Sequence, residues 1–226
     1  HDRRLQRVRR RHAEPRRSPV LITLTFDNGP DPGATPRVLD VLRAHGLRAT
    51  FFVVGEQLRA HRALAERAHA EGHWIGNHTL THPRPLGEAG DAARPEIEAT
   101  QAELGALAHP DRLFRPSGAG GSLEPGLLNR GAVDALVGGG YTCVLWNAVP
   151  GDWADPDGWV ERALAQCAEH EWTLLVLHDV AGAAAARLPD FLDRVEGAFR
   201  QDFPPDCVPI RRGEVTGSLA GLISDV

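Results

Sequence analysis

The sequence predicts a single α/β domain folded as a distorted barrel of seven strand–helix units. Three observations predict it. Strand-like and helix-like runs alternate along most of the 226 residues, the order of a parallel sheet with helical crossovers. Polar residues able to do chemistry recur just past the ends of the strand-like runs, where a barrel gathers its functional groups. No glycine-rich dinucleotide fingerprint is present, which favours a barrel over an open doubly wound sheet.

The elements follow in order. Leu21 to Phe26 is apolar and β-branched, suited to a sheet interior, and Gly29-Pro30 and Asp31-Pro32-Gly33 break it. Thr35 to His45 has Val38, Leu39, Val41 and Leu42 at helical spacing, with Gly46 as a stop. Ala49 to Val54 is a second strand, Gln57 to His73 a helix and Trp74 to Gly76 a short third strand. Arg94 to Ala108 is helical and Leu113-Phe114 a fourth strand. A looser region with Gly138-Gly139-Gly140 leads to a fifth strand, Tyr141 to Trp146. Asp157 to Ala168 is a helix and Trp172 to Leu177 a strongly apolar sixth strand. Pro189 to Gln201 reads as a helix and Cys207 to Ile210 as a seventh strand.

Composition narrows the class. The chain is long enough for one full core, and 42% hydrophobic with 24% charged residues is ordinary for a globular protein. A net charge of −5 argues against nucleic acid as a partner, and no run is long and apolar enough for a membrane span. All basic residues are arginine; residues 1–18 form an Arg-rich arm, read as a solvated terminus. The barrel is expected over 19–212 and a weakly periodic, loosely packed tail over 213–226. Cys143, Cys167 and Cys207 fit no zinc spacing and read as buried reduced thiols, weakly favouring a cytoplasmic setting. The chain is expected to act as a monomer.

The chemistry-bearing residues lie at the strand ends. Asp27 ends the first strand. His78 and His82 follow the third at a four-residue spacing, which on a helical turn brings both imidazoles to one metal. Arg115, Asp152 and His178 follow the fourth, fifth and sixth strands. In a barrel these ends converge, so the six residues are expected around one pocket. His69 and His73, at a helix end, read as surface or helix-end histidines instead.

Thr25-Phe26-Asp27-Asn28-Gly29-Pro30, His78-Thr79-Leu80-Thr81-His82, Phe114-Arg115-Pro116, Gly151-Asp152-Trp153 and Leu175-Val176-Leu177-His178 resemble the five motifs of the polysaccharide deacetylase family. This is the NodB homology group, carbohydrate esterase family 4. Thr50-Phe51-Phe52-Val53-Val54-Gly55 is similar to its second strand. The resemblance spans about residues 20–210. It implies a distorted (β/α)7 barrel that hydrolyses the N-acetyl amide of an amino sugar. Asp27 would then be the general base toward the attacking water, and His178 the general acid toward the leaving amine. Arg115 would orient Asp27, and Asp152 would tune His178. His78, His82 and the residue at Asn28 would hold a divalent metal such as zinc or cobalt. Trp153, Pro116 and Ser117 would meet the sugar.

Two departures matter. Most members carry a second Asp where this chain has Asn28, whose amide offers only a neutral oxygen. Metal affinity should therefore be weak. A branch of the family acting on muramic acid residues resembles this chain in having Asp-Asn-Gly. Beyond Arg115, Pro116-Ser117-Gly118-Ala119-Gly120 lacks the aromatic usual in the family, so the sugar-site wall is small and Gly-rich. The alternative to a hydrolase is a catalytically degenerate relative that binds glycan. The Asp27–Arg115 and Asp152–His178 sets favour the hydrolase, because binding alone needs neither base nor acid.

Overall fold

A computed structural model describes residues 19–118 and 120–224; the Arg-rich arm expected at 1–18 lies outside them. The strands are β1 (Leu21–Asp27), β2 (Thr50–Val53), β3 (Trp74–Asn77), β4 (Leu113–Phe114), β5 (Thr142–Cys143), β6 (Trp172–His178), β7 (Ala198–Phe199), β8 (Ile210–Arg211) and β9 (Glu214–Val215). The α-helices are α1 (Thr35–Ala44), α2 (Gly55–Ala60), α3 (Arg62–Ala70), α4 (Ala93–Leu104), α5 (Arg130–Gly138), α6 (Trp159–Glu169) and α7 (Leu188–Arg194).

Strands β6-β1-β2-β3-β4-β5 are hydrogen-bonded in that order and all run parallel. The sheet curls into a distorted barrel. The chain beyond β5 meets β6 and completes the ring: Ala148 N donates to Leu174 O (3.2 Å) and Val176 N to Ala148 O (2.9 Å). Asn147 adds its side-chain amide to this seam, donating to Trp172 O at 2.9 Å and accepting from Leu174 N at 2.7 Å. The amide stands in for a strand peptide where the ladder is too short to close by itself.

Period-two alternation sorts the side chains. Ile22, Leu24 and Phe26 of β1, Phe51 and Val53 of β2 and Leu175 and Leu177 of β6 point outward into a core shared with α1, α2, α6 and α7. Phe52, Phe114, Leu174 and Val176 belong to a second core with Trp146, Phe203 and Ile210. In register, Asp27 pairs with His178 and Val53 with Asn77. The strands therefore end at one level and deliver their following residues to one rim.

Several elements depart from the sequence reading. Pro189 to Gln201 is not one helix: α7 stops at Arg194, and Ala198–Phe199 is a short strand parallel to β1. Instead of a further parallel strand over Cys207 to Ile210, Ile210–Arg211 runs antiparallel to β5. The Gln57–His73 helix breaks at His61 into α2 and α3. The loose region before β5 contains α5, capped by the Asn129 side chain accepting from Ala132 N at 2.8 Å. Within residues 213–224, β9 pairs with β8, Leu222 is buried and Ile223 bridges to Leu128, while 214–218 are exposed. The three cysteines are free and buried, with burial pushing Cys143 up to about 12 and Cys167 and Cys207 each to about 11.

Candidate active site

The rim holds Asp27, Asn28, His78, His82 and His178 around one cleft, walled by Pro116, Trp146, Val149, Trp153 and Val176. Asp27 is buried, and its Oδ1 accepts from Arg115 Nη1 at 2.8 Å. Arg115 is fully buried inside the barrel. Its other hydrogen bonds go to Thr25 Oγ1, Val144 O and Leu145 O, and its guanidinium lies 4.2 Å from the Phe52 ring centre. With every contact fixed by the barrel interior, the guanidinium leaves Asp27 little rotational freedom. Oδ2 of Asp27 faces His78 Nε2 at 3.7 Å.

His178 sits beside Asp27 on β6. Its Nδ1–H donates to Asp152 Oδ1 at 2.8 Å. Asp152 Oδ2 accepts from the backbone N–H of His178 (2.8 Å) and of Ala184 (3.1 Å). Burial opposes charge on His178, but the hydrogen bond and charge of Asp152, with Asp27 and Asp179 nearby, outweigh it and raise its pKa above 6.5. Trp153 packs edge-on against the His178 ring, with centroids 4.7 Å apart, and is 41% exposed toward the cleft mouth.

The two histidines of the third strand end meet without a helix. His78 and His82 have ring centroids 4.9 Å apart, but the chain between them is a loop in which Thr79 and His82 have φ of 68° and 61°. This corrects the expectation of a helical turn. The loop is clamped from α4 by Glu96, which accepts from Leu80 N, Thr81 N and Thr81 Oγ1, all at 2.8 Å. His78 Nδ1 donates to Arg115 O at 2.9 Å, which leaves Nε2 as a bare acceptor. Burial lowers the pKa of His78, and burial with the neighbouring His78 and Arg84 lowers His82 to about 3, so both rings are neutral at physiological pH.

Against known proteins, residues 15–127 match the polysaccharide deacetylase family. A chitooligosaccharide deacetylase of Sinorhizobium fredii is 34% identical over 79% of this chain and 78% of its own.

The chain belongs to the polysaccharide deacetylase family.

A peptidoglycan-N-acetylglucosamine deacetylase of Bacillus cereus is 35% identical over 60% of this chain and 62% of its own. The structure of a family 4 carbohydrate esterase from Streptomyces lividans in complex with acetate superposes with a TM-score of 0.63 at 29% identity, over 78% and 86% of the two chains. Family membership carries the enzyme class, a deacetylase that hydrolyses a carbon–nitrogen bond. Deacetylases of this family are generally metal-dependent.

For this polysaccharide deacetylase the donor set fits a divalent cation. Two neutral imidazoles face the cleft together with Asn28, whose Oδ1 is buried without a hydrogen-bond partner. Asn28 is held at φ 77°, a left-handed conformation that asparagine tolerates. Among the described residues no group of three His, Cys, Asp or Glu could hold a metal, so the set depends on Asn28.

Of the residues picked from sequence, Asp27, Asn28, His78, His82, Pro116, Trp153 and His178 line the cleft. Arg115 and Asp152 stand behind it, each touching the residue expected. Ser117 does not line it: it is fully buried, and its hydroxyl donates to Pro83 O. His73 is not a surface residue but 3% exposed, its Nδ1 accepting from Ala49 N at 3.0 Å. Sequence reasoning missed Glu96, Arg84, Asp179 and the wall residues Trp146, Val149 and Val176. Asp179 is buried beneath the Asn28 turn, accepting from Gly29 N (3.1 Å) and Thr35 Oγ1 (2.6 Å). Its position directly after His178 was the available signal.

Proposed function

We propose that this deacetylase removes the acetyl group from the amide nitrogen of an N-acyl amino sugar, with Asp27 as general base and His178 as general acid. The observation that carries the roles is the pairing of Asp27 with His178 at the ends of adjacent strands, each with its own buried partner. Amide hydrolysis needs a base for water and, on the other side of the carbonyl, a proton for nitrogen.

Arg115 occupies Oδ1 of Asp27, so Oδ2 is the oxygen open to a water in the cleft. Asp152 fixes Nδ1 of His178 as a donor, so Nε2 presents the proton to the leaving amine. Trp153 and Pro116 would bracket the sugar. His78, His82 and Asn28 Oδ1 would hold a divalent cation such as zinc or cobalt. Bound there, it would acidify the attacking water and polarise the acetyl carbonyl.

Acetate release from chitooligosaccharides, peptidoglycan and small N-acetylated glycosides tests the reading. Asp27→Asn should lose at least about 10²-fold in turnover while the fold stays intact, because an amide cannot take a proton from water. Full activity in that variant would remove Asp27 from the base role. No release by the parent from any of these substrates would favour the glycan-binding alternative, to which the neutral Asn28 belongs.

A further inference from the structure

The loop that joins His78 to His82 is not held by its own backbone. Among the described residues, the N–H groups from Thr79 to His82 bond only to side chains. Thr79 N donates to Asn77 Oδ1 (2.9 Å), Leu80 N and Thr81 N to Glu96 Oε2 (2.8 Å each), and His82 N to Thr79 Oγ1 (3.2 Å). Glu96 thus takes two of the four donors, and its Oε1 accepts from Thr81 Oγ1 at 2.8 Å. The loop conformation is one these residues do not favour. Thr79 is β-branched and sits at φ 68°, and His82 at 61°, both in the left-handed region where a Cβ is crowded. Such strain persists only where the surroundings over-determine it. The loop carbonyls are held by the first two N–H groups of α2: Gly55 N donates to Thr79 O (2.9 Å) and Glu56 N to Leu80 O (3.0 Å). The N–H groups midway between the histidines depend on Glu96. Its helix is a fixed base, with Ala93, Ile97, Thr100 and Leu104 of α4 buried. Asn77, just before His78, is tied to the same helix through Nδ2 to Ile97 O at 2.8 Å. Glu96 lies outside every motif used above and makes no hydrogen bond to either histidine.

We propose that Glu96 is a positioning residue for the cation site: by holding the N–H groups of Leu80 and Thr81 it keeps the loop in the conformation that turns His82 toward His78, so that both imidazoles meet one divalent cation. This rests on the reading of His78, His82 and Asn28 as that site. Without Glu96 the two N–H groups turn to water, Thr79 and His82 relax out of the left-handed region, and His82 leaves its place beside His78.

Calorimetric titration with zinc chloride reads the cation site. Nuclear Overhauser contacts between the His78 and His82 rings of the metal-free protein read the loop without it. Glu96→Ala should weaken zinc by about tenfold or more, the range for residues that support metal ligands. It should also abolish the contact between the rings, whose centroids stand 4.9 Å apart. Glu96→Asp keeps the charge but draws the oxygens back by one methylene, and should lose affinity as Ala does. Glu96→Gln keeps the reach, with an oxygen for the two N–H groups and an NH2 for Thr81 Oγ1, and should retain most of the affinity. The Asp–Gln pair gives the same reading where Glu96→Ala does not fold. Glu98→Ala, an exposed change on the same helix, should bind zinc as the parent does. Parent affinity in Glu96→Ala, or a ring contact that persists in it, would overturn the proposal. So would Gln as damaging as Ala, which would show that charge and not reach is what matters. A parent that binds no zinc would remove the cation reading alone. Loss of the ring contact in Glu96→Ala, and its return in Glu96→Gln, would then still support Glu96 as the residue that places His82.

Discussion

Asp152 works on the proton of His178, and that has a measurable sign. As the proposed general acid His178 would have to be protonated, and its folded-state pKa is raised above 6.5, chiefly because Asp152 outweighs burial. Activity should therefore fall as pH rises through that raised value. Asp152→Asn keeps an acceptor for Nδ1–H but removes the charge, so the alkaline limb of the kcat/KM profile should move to lower pH, with a rate loss of about 10²-fold or more. An alkaline limb that stays in place would show that His178 is not the acid. Asn28 has a separate test. Its Oδ1 is buried and unpartnered, and as a neutral oxygen it is a poor ligand for a hard or borderline dication. Asn28→Asp should tighten zinc or cobalt by at least about tenfold in titration calorimetry, the low end of what disturbing a metal site's supporting residues costs. Equal affinity in the two proteins would mean that Asn28 does not reach the metal.

The junction between the chain after β5 and β6 depends on one side chain. Asn147 supplies an acceptor to Leu174 N and a donor to Trp172 O, beside a backbone bridge of a single residue, Ala148. Asn147→Ala leaves both backbone groups without that partner. At the lower end of the cost of an unsatisfied group, this is about 2 kcal/mol in all, or a fall of about 4–8 °C in Tm for a chain of this size. Thermal unfolding followed by circular dichroism is the measurement; an unchanged Tm would show that water replaces the amide without loss. Because β6 carries His178, a loosened seam should also lower turnover. The β1 turn is tight for a related reason. A side chain on Gly29 would come within 2.2–2.5 Å of the buried Asp179 carboxylate, so the residue next to Asn28 has to be glycine for β1 and β6 to end side by side.

The protein as a whole stores neutral histidines. His73, His78 and His82 all have folded-state pKa values below 6.5, with burial the leading cause in each and His82 down at about 3. Groups depressed in the folded state contribute stability that is present above 6.5 and lost as pH falls toward the folded value. Asp179 acts in the opposite sense. Burial raises it to about 7 from 3.8, so its contribution is present below 3.8 and lost as pH rises to about 7. His109 is depressed in the same way as the three histidines, while His45, raised by the Val41 carbonyl and Asp193, and His178, raised against burial by Asp152, act with Asp179. The fully buried His78, and His82 at about 3, tip the balance to a net loss on acidification. The metal-free protein should melt several degrees lower at pH 5 than at pH 7.5, about 2–4 °C for each kcal/mol lost. A Tm that is flat or higher at pH 5 would contradict this balance.

Asp27, His78, Arg115 and His178 were legible in the sequence because each stands at the end of a short apolar run. Alternation along a strand and the parallel order of strand–helix units then send every such end to the same rim. That reasoning is local and needs no knowledge of what packs against what. It also located Asp152, although β5 is only Thr142–Cys143 and the chain beyond it is irregular. Ser117 was misread because its neighbour Pro116 does face the cleft; only the packed fold shows the hydroxyl turned onto Pro83. α5 escaped notice because glycines at 131 and 138–140 mask its period, although Asn129 caps it as asparagine does elsewhere. The Glu96 clamp and the Asn147 seam were invisible for a common physical reason. Each depends on which groups meet across the fold — Glu96 with Thr81 over 15 residues, Asn147 with Trp172 over 25. A sequence read element by element determines the faces its strands present, and so the polar groups gathered at one rim. The pairing of those faces in space decides which of the remaining polar groups are satisfied and which are left open to a ligand.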